Sequence, residues 1–281
     1  MKFVLILAFL VVCLYGEAKV INFSPLPMDK APKLFIQYDL MLKYLQKETN
    51  IKFNFIYSSS YKDLIRNFQD GKIDVIELGA LPYVKLKQKF KQAEPFLTFN
   101  SKSGNPYYTC NLITKEKNIN SFSDILNTNE VILTKSLSTC GYLMSELIMK
   151  KNNKTLKNFN YQYVGTHSNV LLKLLLDENS IGTVKSTVLN KYNQFEFKNL
   201  AKSPNIPGFA FIYNMNNLNK EDIKKIQKAI LKLDPKNNKK DKQLMSKWSY
   251  NTKYGAVKTD IKAYDVIYET MKNIKIPKDN K

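Results

Sequence analysis

The residues with the clearest chemical potential lie in one stretch, Val131 to Met144. Its first three residues form a short apolar run that predicts a buried strand, and apolar residues recur at helical spacing from Gly141 to Lys151. A hydroxyl-rich loop, Thr134 to Thr139, lies between the two. The first amides of a helix have no partner inside it, and the helix dipole adds positive potential at that end. This arrangement could therefore hold an oxyanion.

Four neighbouring positions of this stretch are candidate anion ligands. The hydroxyls of Ser138 and Thr139 and the backbone amides near Cys140 and Gly141 could donate hydrogen bonds to an oxyanion. The alternative is that Ser138 or Thr139 simply caps the helix that follows. Capping needs no ligand, so the rest of the chain has to decide between the two interpretations.

Residues 1–18 have the features of a secretory signal. Lys2 precedes an apolar stretch from Val4 to Leu14, and small residues occupy the −3 and −1 positions of a cleavage site after Ala18. We therefore expect export to the periplasm. Lipidation of Cys13 is the alternative, although a bulky residue precedes it. The rest of the chain contains no second apolar stretch long enough to span a membrane.

Charge and composition narrow the function classes. The formal net charge of +20 survives processing, because Lys2 and Glu17 cancel. Such a charge could indicate nucleic acid or anionic lipid. The lysines are spread along the chain, however, and export argues against a nucleic-acid partner; a basic protein that recognises acidic glycans or lipid stays as an alternative. With His167 as the single histidine and no CxxC or HExxH spacing, we expect no metal site and no cofactor.

The periodicity of the mature chain predicts an α/β fold. Strands and helices alternate from Lys19 onward, which implies a parallel sheet with helices on its faces and ligands at the carboxyl ends of its strands. Turn-rich breaks at 101–107 and 203–208 flank a second block of the same kind. We therefore predict two lobes, 19–104 plus 209–281 and 105–208, with the ligand in the crevice between them.

Several separate motifs, taken together in their order and spacing, extend over nearly the whole mature chain. They are Tyr61, Asp74, Gly79-x-x-Pro-Tyr83, Pro106-Tyr107, Ser138-Thr-Cys-Gly141, Gly165-x-His167 and Ser203-Pro-x-Ile-Pro207. This combination resembles the phosphate/phosphite/phosphonate solute-binding proteins of ABC importers. The resemblance implies the two-lobe, type II periplasmic-binding-protein fold with a central cleft and hinge.

The same resemblance implies a function and partners. It implies a monomeric, non-catalytic protein that captures a small oxyanion and delivers it to an ABC permease in the inner membrane. A variant of the same fold could instead present its ligand, including arsenic oxyanions, to a membrane sensor kinase. Both alternatives share the same kind of ligand and the same cleft.

The resemblance also implies roles for individual residues. The family's Ser-Thr-Ser-Gly anion loop falls on Ser138 to Gly141, its phosphonate-binding histidine on His167, and its two pocket tyrosines on Tyr61 and Tyr107. Cys140 stands where a serine is usual, so a hydroxyl donor becomes a weak thiol. A structural role is the alternative for the histidine, and core or surface packing for the tyrosines.

Two positions bear on the ligand's tail. Aminophosphonate binders of this family place acidic residues against the ligand's amine, and the matching positions here are Thr187 and Phe209. A buried ammonium without an acidic partner is costly. We therefore expect a simple oxyanion or a phosphonate with an uncharged tail. Tyr83 is a further site candidate, with packing beneath the cleft as its alternative.

Cys110 and Cys140 allow several hypotheses. A disulfide is favoured in an oxidising compartment and would form if their strands are neighbours in one sheet. The alternatives are two free buried thiols, or a reduced pair that captures a soft metalloid such as arsenite. A catalytic alternative uses Cys140 as nucleophile and His167 as base.

Overall fold

The computed structural model describes residues 19–277. The predicted signal peptide, its cleavage site and Cys13 lie outside the described residues. The strands, in chain order, are β1 (Val20–Ser24), β2 (Lys52–Phe55), β3 (Val75–Leu78), β4 (Ala93–Phe99), β5 (Tyr107–Tyr108), β6 (Cys110–Thr114), β7 (Glu130–Leu133), β8 (Tyr161–Tyr163), β9 (Ser180–Lys185), β10 (Lys198–Lys202), β11 (Ile206–Pro207), β12 (Ala210–Asn214) and β13 (Ala256–Lys258). The α-helices are α1 (Ala31–Thr49), α2 (Tyr61–Gln69), α3 (Ala80–Lys89), α4 (Tyr142–Lys151), α5 (His167–Leu176), α6 (Ser186–Leu189), α7 (Lys220–Leu231), α8 (Lys239–Met245) and α9 (Asp265–Asn273).

The first sheet has the strand order β13-β4-β12-β3-β1-β2. β1 is parallel to β2 and β3, whereas β12 is antiparallel to β3 and β4, and β13 is antiparallel to β4. The predicted parallel arrangement therefore holds for β1 to β3, and the complete sheet is mixed. The sequence pattern did not predict β4, whose apolar run is interrupted by Glu94 and Pro95. The ladder accommodates this proline at a register shift between Phe211 and Ile212.

The second sheet has the order β10-β6-β9-β7-β8. β7 is parallel to β8 and β9, and β6 is antiparallel to β9 and β10. Because β6 runs against β9 and β7, its first residue lies at the edge where those two strands end. The carboxyl ends of β7 and β9 and the start of β6 therefore meet at one edge, which is where this class of sheet binds ligands.

The two segments that lead from one sheet to the other pair with each other. β5 and β11 form a separate antiparallel ladder in which Tyr107 lies opposite Pro207. The Gly208 amide donates to the Pro106 carbonyl at 2.7 Å, and a Cβ at Gly208 would lie 2.7 Å from the carbonyl oxygen of Phe99, so a side chain there would collide with the backbone. Every strand of the first sheet falls within 19–104 or 209–281, and every strand of the second within 105–208. The exact lobe boundaries stay a prediction.

The packing of α1 shows why the apolar spacing produced the expected helix. Its buried stripe recurs every three or four residues along one face and comprises Leu34, Tyr38, Met41, Leu42 and Leu45. Full burial of one such side chain contributes about 1.5–3 kcal/mol. No helix within residues 19–277 has both the length and the apolarity needed to cross a bilayer.

Candidate functional site

The loop between β7 and α4 folds as a tight, glycine-dependent turn. The N-cap of α4 is Gly141, so the interpretation of Ser138 or Thr139 as a simple helix cap is wrong. The Ser138 amide donates to the Lys135 carbonyl, and the Gly141 amide donates to the Ser138 carbonyl at 2.9 Å. A Cβ at Gly141 would lie 2.0 Å from the Lys135 oxygen, so only glycine fits. The Gly141 amide is thus used inside the loop and is not the free donor that we expected.

Thr139 connects this loop, which follows β7 of the second sheet, to α3, which follows β3 of the first sheet. Its side chain is buried, and its hydroxyl accepts a hydrogen bond of 3.1 Å from the backbone amide of Leu81, near the start of α3. The same side chain is hydrogen-bonded to the hydroxyl of Tyr108. A hydroxyl can donate one hydrogen bond and accept two. Thr139 therefore holds together the anion loop, the N-terminus of α3 and the ladder strand β5.

Cys140 is joined to Cys110 in a disulfide, with Cα atoms 5.2 Å apart. The strands that carry or precede the two cysteines are not neighbours, because β9 lies between β6 and β7. The cysteines meet nonetheless, since antiparallel β6 begins at the edge where β7 ends. In this bonded form Cys140 offers no thiolate, so the catalytic hypothesis lacks its nucleophile and the metalloid hypothesis lacks its reduced pair.

His167 is the first residue of α5, and Thr166 caps that helix by accepting a 3.1 Å hydrogen bond from the Asn169 amide. The ring Nδ1 accepts a 3.3 Å hydrogen bond from the backbone amide of Lys185. Burial, with the nearby Lys185 charge as a smaller cause, lowers the pKa of His167 to about 3. The imidazole is therefore neutral, and because Nδ1 is an acceptor, its proton is on Nε2. His167 can donate one hydrogen bond without adding a positive charge.

Lys185, at the end of β9, is the cation that the sequence reasoning missed. Its Nζ lies 4.1 Å from the ring centroid of Tyr108 and 4.9 Å from that of Phe209. Burial lowers the pKa of this ammonium to about 8, an effect that Glu77 opposes. The available signal was its position: a lysine at the carboxyl end of an apolar strand in an α/β sheet lies where ligands bind.

Glu77, in β3, is a fully buried carboxyl group close to this lysine. The Tyr38 hydroxyl donates to one carboxyl oxygen, and the Asn251 side-chain amide donates to the other at 2.8 Å. Burial raises the pKa of Glu77 to about 7, while the two hydrogen bonds and the Lys185 charge act in the opposite direction. Asn251 also lines the pocket described next, so it connects the buried acid to the pocket wall.

A pocket with about 360 Å³ of empty space, part of it open to solvent, lies between the two sheets. Residues from both sides and from the ladder strands line it: Phe99, Asn100, Ser101, Asn105, Pro106, Tyr107, Tyr108, Lys185, Thr187, Gly208, Phe209, Tyr250 and Asn251. None of these lining residues is acidic. Thr187 and Phe209, which the sequence resemblance aligns with acids of aminophosphonate binders, thus face a pocket that contains a lysine.

The predicted site residues divide into two groups around this pocket. Tyr107 and Thr187 line it. The loop residues Ser138 to Gly141 and His167 are not among the lining residues, but they adjoin them: Thr139 bonds to Tyr108, and His167 accepts from the Lys185 amide.

Two predicted tyrosines lie further away. The Tyr61 hydroxyl donates to the Pro82 carbonyl at 3.2 Å, and burial raises the pKa of Tyr61 to about 12. The Tyr83 ring is buried edge-on against Tyr264 at 4.6 Å between centroids, so the structure favours the packing alternative for Tyr83.

Comparisons with known proteins show the family and the fold. The family model described as the periplasmic substrate-binding protein of phosphonate ABC transporters matches residues 23–264. The phosphate-import protein PhnD of Mycolicibacterium smegmatis is 25% identical over 131 residues, which are 46% of this chain and 40% of that protein. The aligned part thus spans about two-fifths of that relative's length.

Solved structures share the fold at low sequence identity. A binding protein component of a phosphonate ABC transporter from Pseudomonas aeruginosa gives a TM-score of 0.68 at 22% identity, with 90% of this chain and 86% of that chain covered. PhnD1 of Prochlorococcus marinus, solved with methylphosphonate, gives 0.70 at 18% identity, with 91% and 98% covered. These likenesses confirm the predicted two-lobe periplasmic-binding-protein fold.

Proposed function

The chain belongs to the family of periplasmic substrate-binding proteins of phosphonate ABC transporters, and we propose that it captures a small phosphorus oxyanion between its two lobes for delivery to an ABC permease. The observation that carries this proposal is the chemistry of the cleft. Its charged lining residue is Lys185, its adjoining donors Thr139 and His167 are neutral, and none of its described lining residues is acidic. Such a site attracts an anion and disfavours a cation.

The phosphoryl group is proposed to sit against the anion loop. There Ser138, Thr139 and the Nε2–H of His167 would donate hydrogen bonds, and the tyrosine rings of the ladder would exclude water. Each hydrogen bond to a charged group contributes about 1.5–3 kcal/mol. Because Thr139 already bonds to Tyr108, an arriving oxyanion joins a network that the Leu81 amide completes on closure.

Lobe closure is proposed to occur about the paired crossing strands. β5 and β11 are the short segments that connect the sheets, and hinges of this kind take up rotation in a few residues at element ends. The Leu81–Thr139 hydrogen bond joins the two sides across the cleft, so it would form on closure and break on opening.

The ligand class rests on what the relatives have in common. One is named for phosphate import and another was solved with methylphosphonate, and both ligands carry a tetrahedral phosphorus oxyanion. We propose that this group is recognised here and that an ammonium tail is not. Thr187 and Phe209 in the pocket wall support the second part, since neither can balance a buried cation.

Titration calorimetry on the mature chain, 19–281, tests the proposal. The ligands are phosphate, phosphite, methylphosphonate, arsenate and sulfate, each at low and high ionic strength. We expect saturable one-to-one binding of at least one phosphorus oxyanion, with modest salt dependence because the site is partly buried. Absence of binding to every one of these ligands would contradict the proposal. Binding restricted to polyanions and abolished by salt would instead support a basic surface-binding protein.

A further inference from the structure

The Lys185 ammonium is a half-buried donor with no hydrogen-bond acceptor or ion-pair partner among the described residues. Within residues 19–277 its Nζ contacts the rings of Tyr108 and Phe209, and no hydrogen bond or ion pair to Nζ is present. An ammonium has three hydrogens to donate. The nearby carboxyl group of Glu77 already accepts from Tyr38 and Asn251. The ring contacts offset part of the desolvation cost, but they leave the ammonium's donors for a partner in the pocket.

A second lysine adds to the positive charge at this end of the pocket. Lys191 lies 3.3 Å from the ring centroid of Tyr250, which lines the pocket, and its charge acts against that of Lys185. Two like charges at one pocket repel each other, so an anion between or beside them relieves the repulsion. The same end carries the neutral Thr187 and Phe209 rather than acids.

Lys185 and the anion loop contact different parts of the Tyr108 side chain. The hydroxyl of Tyr108 bonds to Thr139, whereas its ring lies against the Lys185 ammonium. The loop does not itself line the pocket that holds Lys185. The geometry therefore provides two positions for negative charge, one at the loop and one at the lysine, with Tyr108 between them.

We propose that the Lys185 end of the pocket is a second anion subsite, which makes a phosphonate or phosphate with a second negative group on a short carbon chain, such as a carboxylate, the preferred ligand class. This inference rests on the proposed function, because it takes the phosphoryl group to occupy the loop. It replaces the sequence-based expectation of an uncharged tail. Aminophosphonate binders use acids to hold an ammonium, whereas this pocket would use a lysine to hold a carboxylate.

Three phosphonates with the same two-carbon tail test the subsite on the mature chain. Phosphonoacetate has an anionic end, ethylphosphonate a neutral one, and 2-aminoethylphosphonate a cationic one. We expect phosphonoacetate to bind about ten- to a hundredfold more tightly than ethylphosphonate, as one charged hydrogen bond would give. We expect 2-aminoethylphosphonate to bind most weakly.

Lys185→Met removes the charge and keeps the length of the side chain. We expect it to bring phosphonoacetate to within about twofold of ethylphosphonate while ethylphosphonate itself changes little, and Lys185→Arg to keep the preference. Lys202→Met is the matched control, because it removes the same charge from an exposed position in β10 of the same sheet. It should leave the preference unchanged.

The outcomes separate the subsite from the proposed function. Equal binding of phosphonoacetate and ethylphosphonate by the wild type would overturn the subsite and leave the proposed function standing. An equal loss of both ligands in Lys185→Met would also overturn it, since the lysine would then hold the phosphoryl group itself. Failure of all three phosphonates and of phosphate to bind would contradict the proposed function.

Discussion

The loop end and the lysine end of the candidate site are built in different ways. At the loop end, several of the predicted donors and acceptors already have protein partners: Thr139 bonds to Leu81 and Tyr108, and the His167 Nδ1 accepts from the Lys185 amide. A disulfide fixes the same loop to β6. At the lysine end, the Lys185 ammonium lies between two rings and has no hydrogen-bond acceptor among residues 19–277.

The two ends therefore contribute differently to ligand recognition, the loop end through geometry and the lysine end through charge. The loop end has neutral donors in fixed positions, which suits recognition of a tetrahedral oxyanion whatever its substituent. The lysine end has charge but few directional contacts, which suits discrimination between tails of different charge. A ligand that uses both ends would obtain its orientation from one and its selectivity from the other.

The disulfide is the strongest single constraint on the loop end. Cys110 and Cys140 are 30 residues apart, and closing a loop of that length stabilises the folded state by about 3–4 kcal/mol in the chain-entropy model. We expect the double variant Cys110→Ser/Cys140→Ser to lose about that much in urea unfolding. The loop should also hold oxyanions less tightly, because its position is no longer fixed.

The matched measurement is the wild type with and without reductant, followed by intact mass and thiol labelling under denaturing conditions. Two labelled thiols in protein taken directly from the periplasm would contradict the bonded state. Unchanged stability of the double variant would show that the disulfide does not constrain the fold.

Removal of a loop donor should weaken every ligand alike. Thr139→Ala and His167→Ala each delete a hydrogen-bonding group that is proposed to meet the phosphoryl group, so we expect affinity to fall by about one to two decades. Calorimetry with phosphate, methylphosphonate and phosphonoacetate measures the loss. Thr139→Ser, which keeps the hydroxyl, is the control and should bind nearly as the wild type does. If both alanine variants bind every oxyanion as the wild type does, the loop is not the site.

Ligand selectivity at the lysine end should depend on pH, whereas the contribution of the loop end should not. The charged form of Lys185, whose pKa is lowered to about 8, falls from about three-quarters at pH 7.5 to about one-tenth at pH 9. The ratio of phosphonoacetate to ethylphosphonate affinity should therefore fall about four- to eightfold across that interval. The titratable groups around Lys185 are those of Glu77, Lys191, Tyr108 and His167. The pKa is about 7 for Glu77, about 12 for Tyr108 and about 3 for His167.

The phosphonate groups of both ligands titrate in the same range, so the ratio removes the part of this effect that the ligands have in common, and Lys185→Met measures the part that they do not. The ratio for Lys185→Met should therefore change much less than that of the wild type. A ratio in the wild type that is independent of pH would place the selective charge elsewhere.

Glu77 should change the pH dependence of stability. Its pKa is raised from 4.5 to about 7 in the folded state, so its contribution is fully present below about pH 4.5 and is lost as the pH rises through about 7. We expect Glu77→Gln to lose less stability than the wild type between pH 5.5 and pH 8 in urea unfolding. Parallel pH profiles for the two proteins would contradict the raised pKa.

Much of the fold followed from sequence periodicity. The buried stripe of α1, the strand-loop-helix around the anion loop and the two crossings between sheets were each indicated by local patterns. The strand directions were not, because the antiparallel return of β12 and β13 depends on contacts between distant segments. Pro95 concealed β4 for a related reason: a register shift in its neighbour accommodates the proline.

Sequence reasoning proposed site residues where backbone rules apply and missed groups whose role depends on burial. Gly141 and the hydroxyls before it were proposed from their place between a strand and a helix. The chemical importance of Lys185 and Glu77 depends on a desolvation that a chain rich in lysine does not reveal residue by residue. The hydrogen bond from Leu81 to Thr139 joins positions 58 residues apart, and the sequence contains no local sign of it.

The most direct test of the division between the two ends is one thermodynamic comparison. Affinities for phosphonoacetate and ethylphosphonate are measured by calorimetry for the wild type, Thr139→Ala, Lys185→Met and the double variant. Thr139→Ala should weaken both ligands by the same factor, Lys185→Met should weaken phosphonoacetate alone, and the two effects should add in free energy apart from a coupling through Tyr108, which contacts both residues. An equal loss of both ligands in Lys185→Met, or a loss of phosphonoacetate alone in Thr139→Ala, would contradict the separation of the phosphoryl site from the charge-selective site.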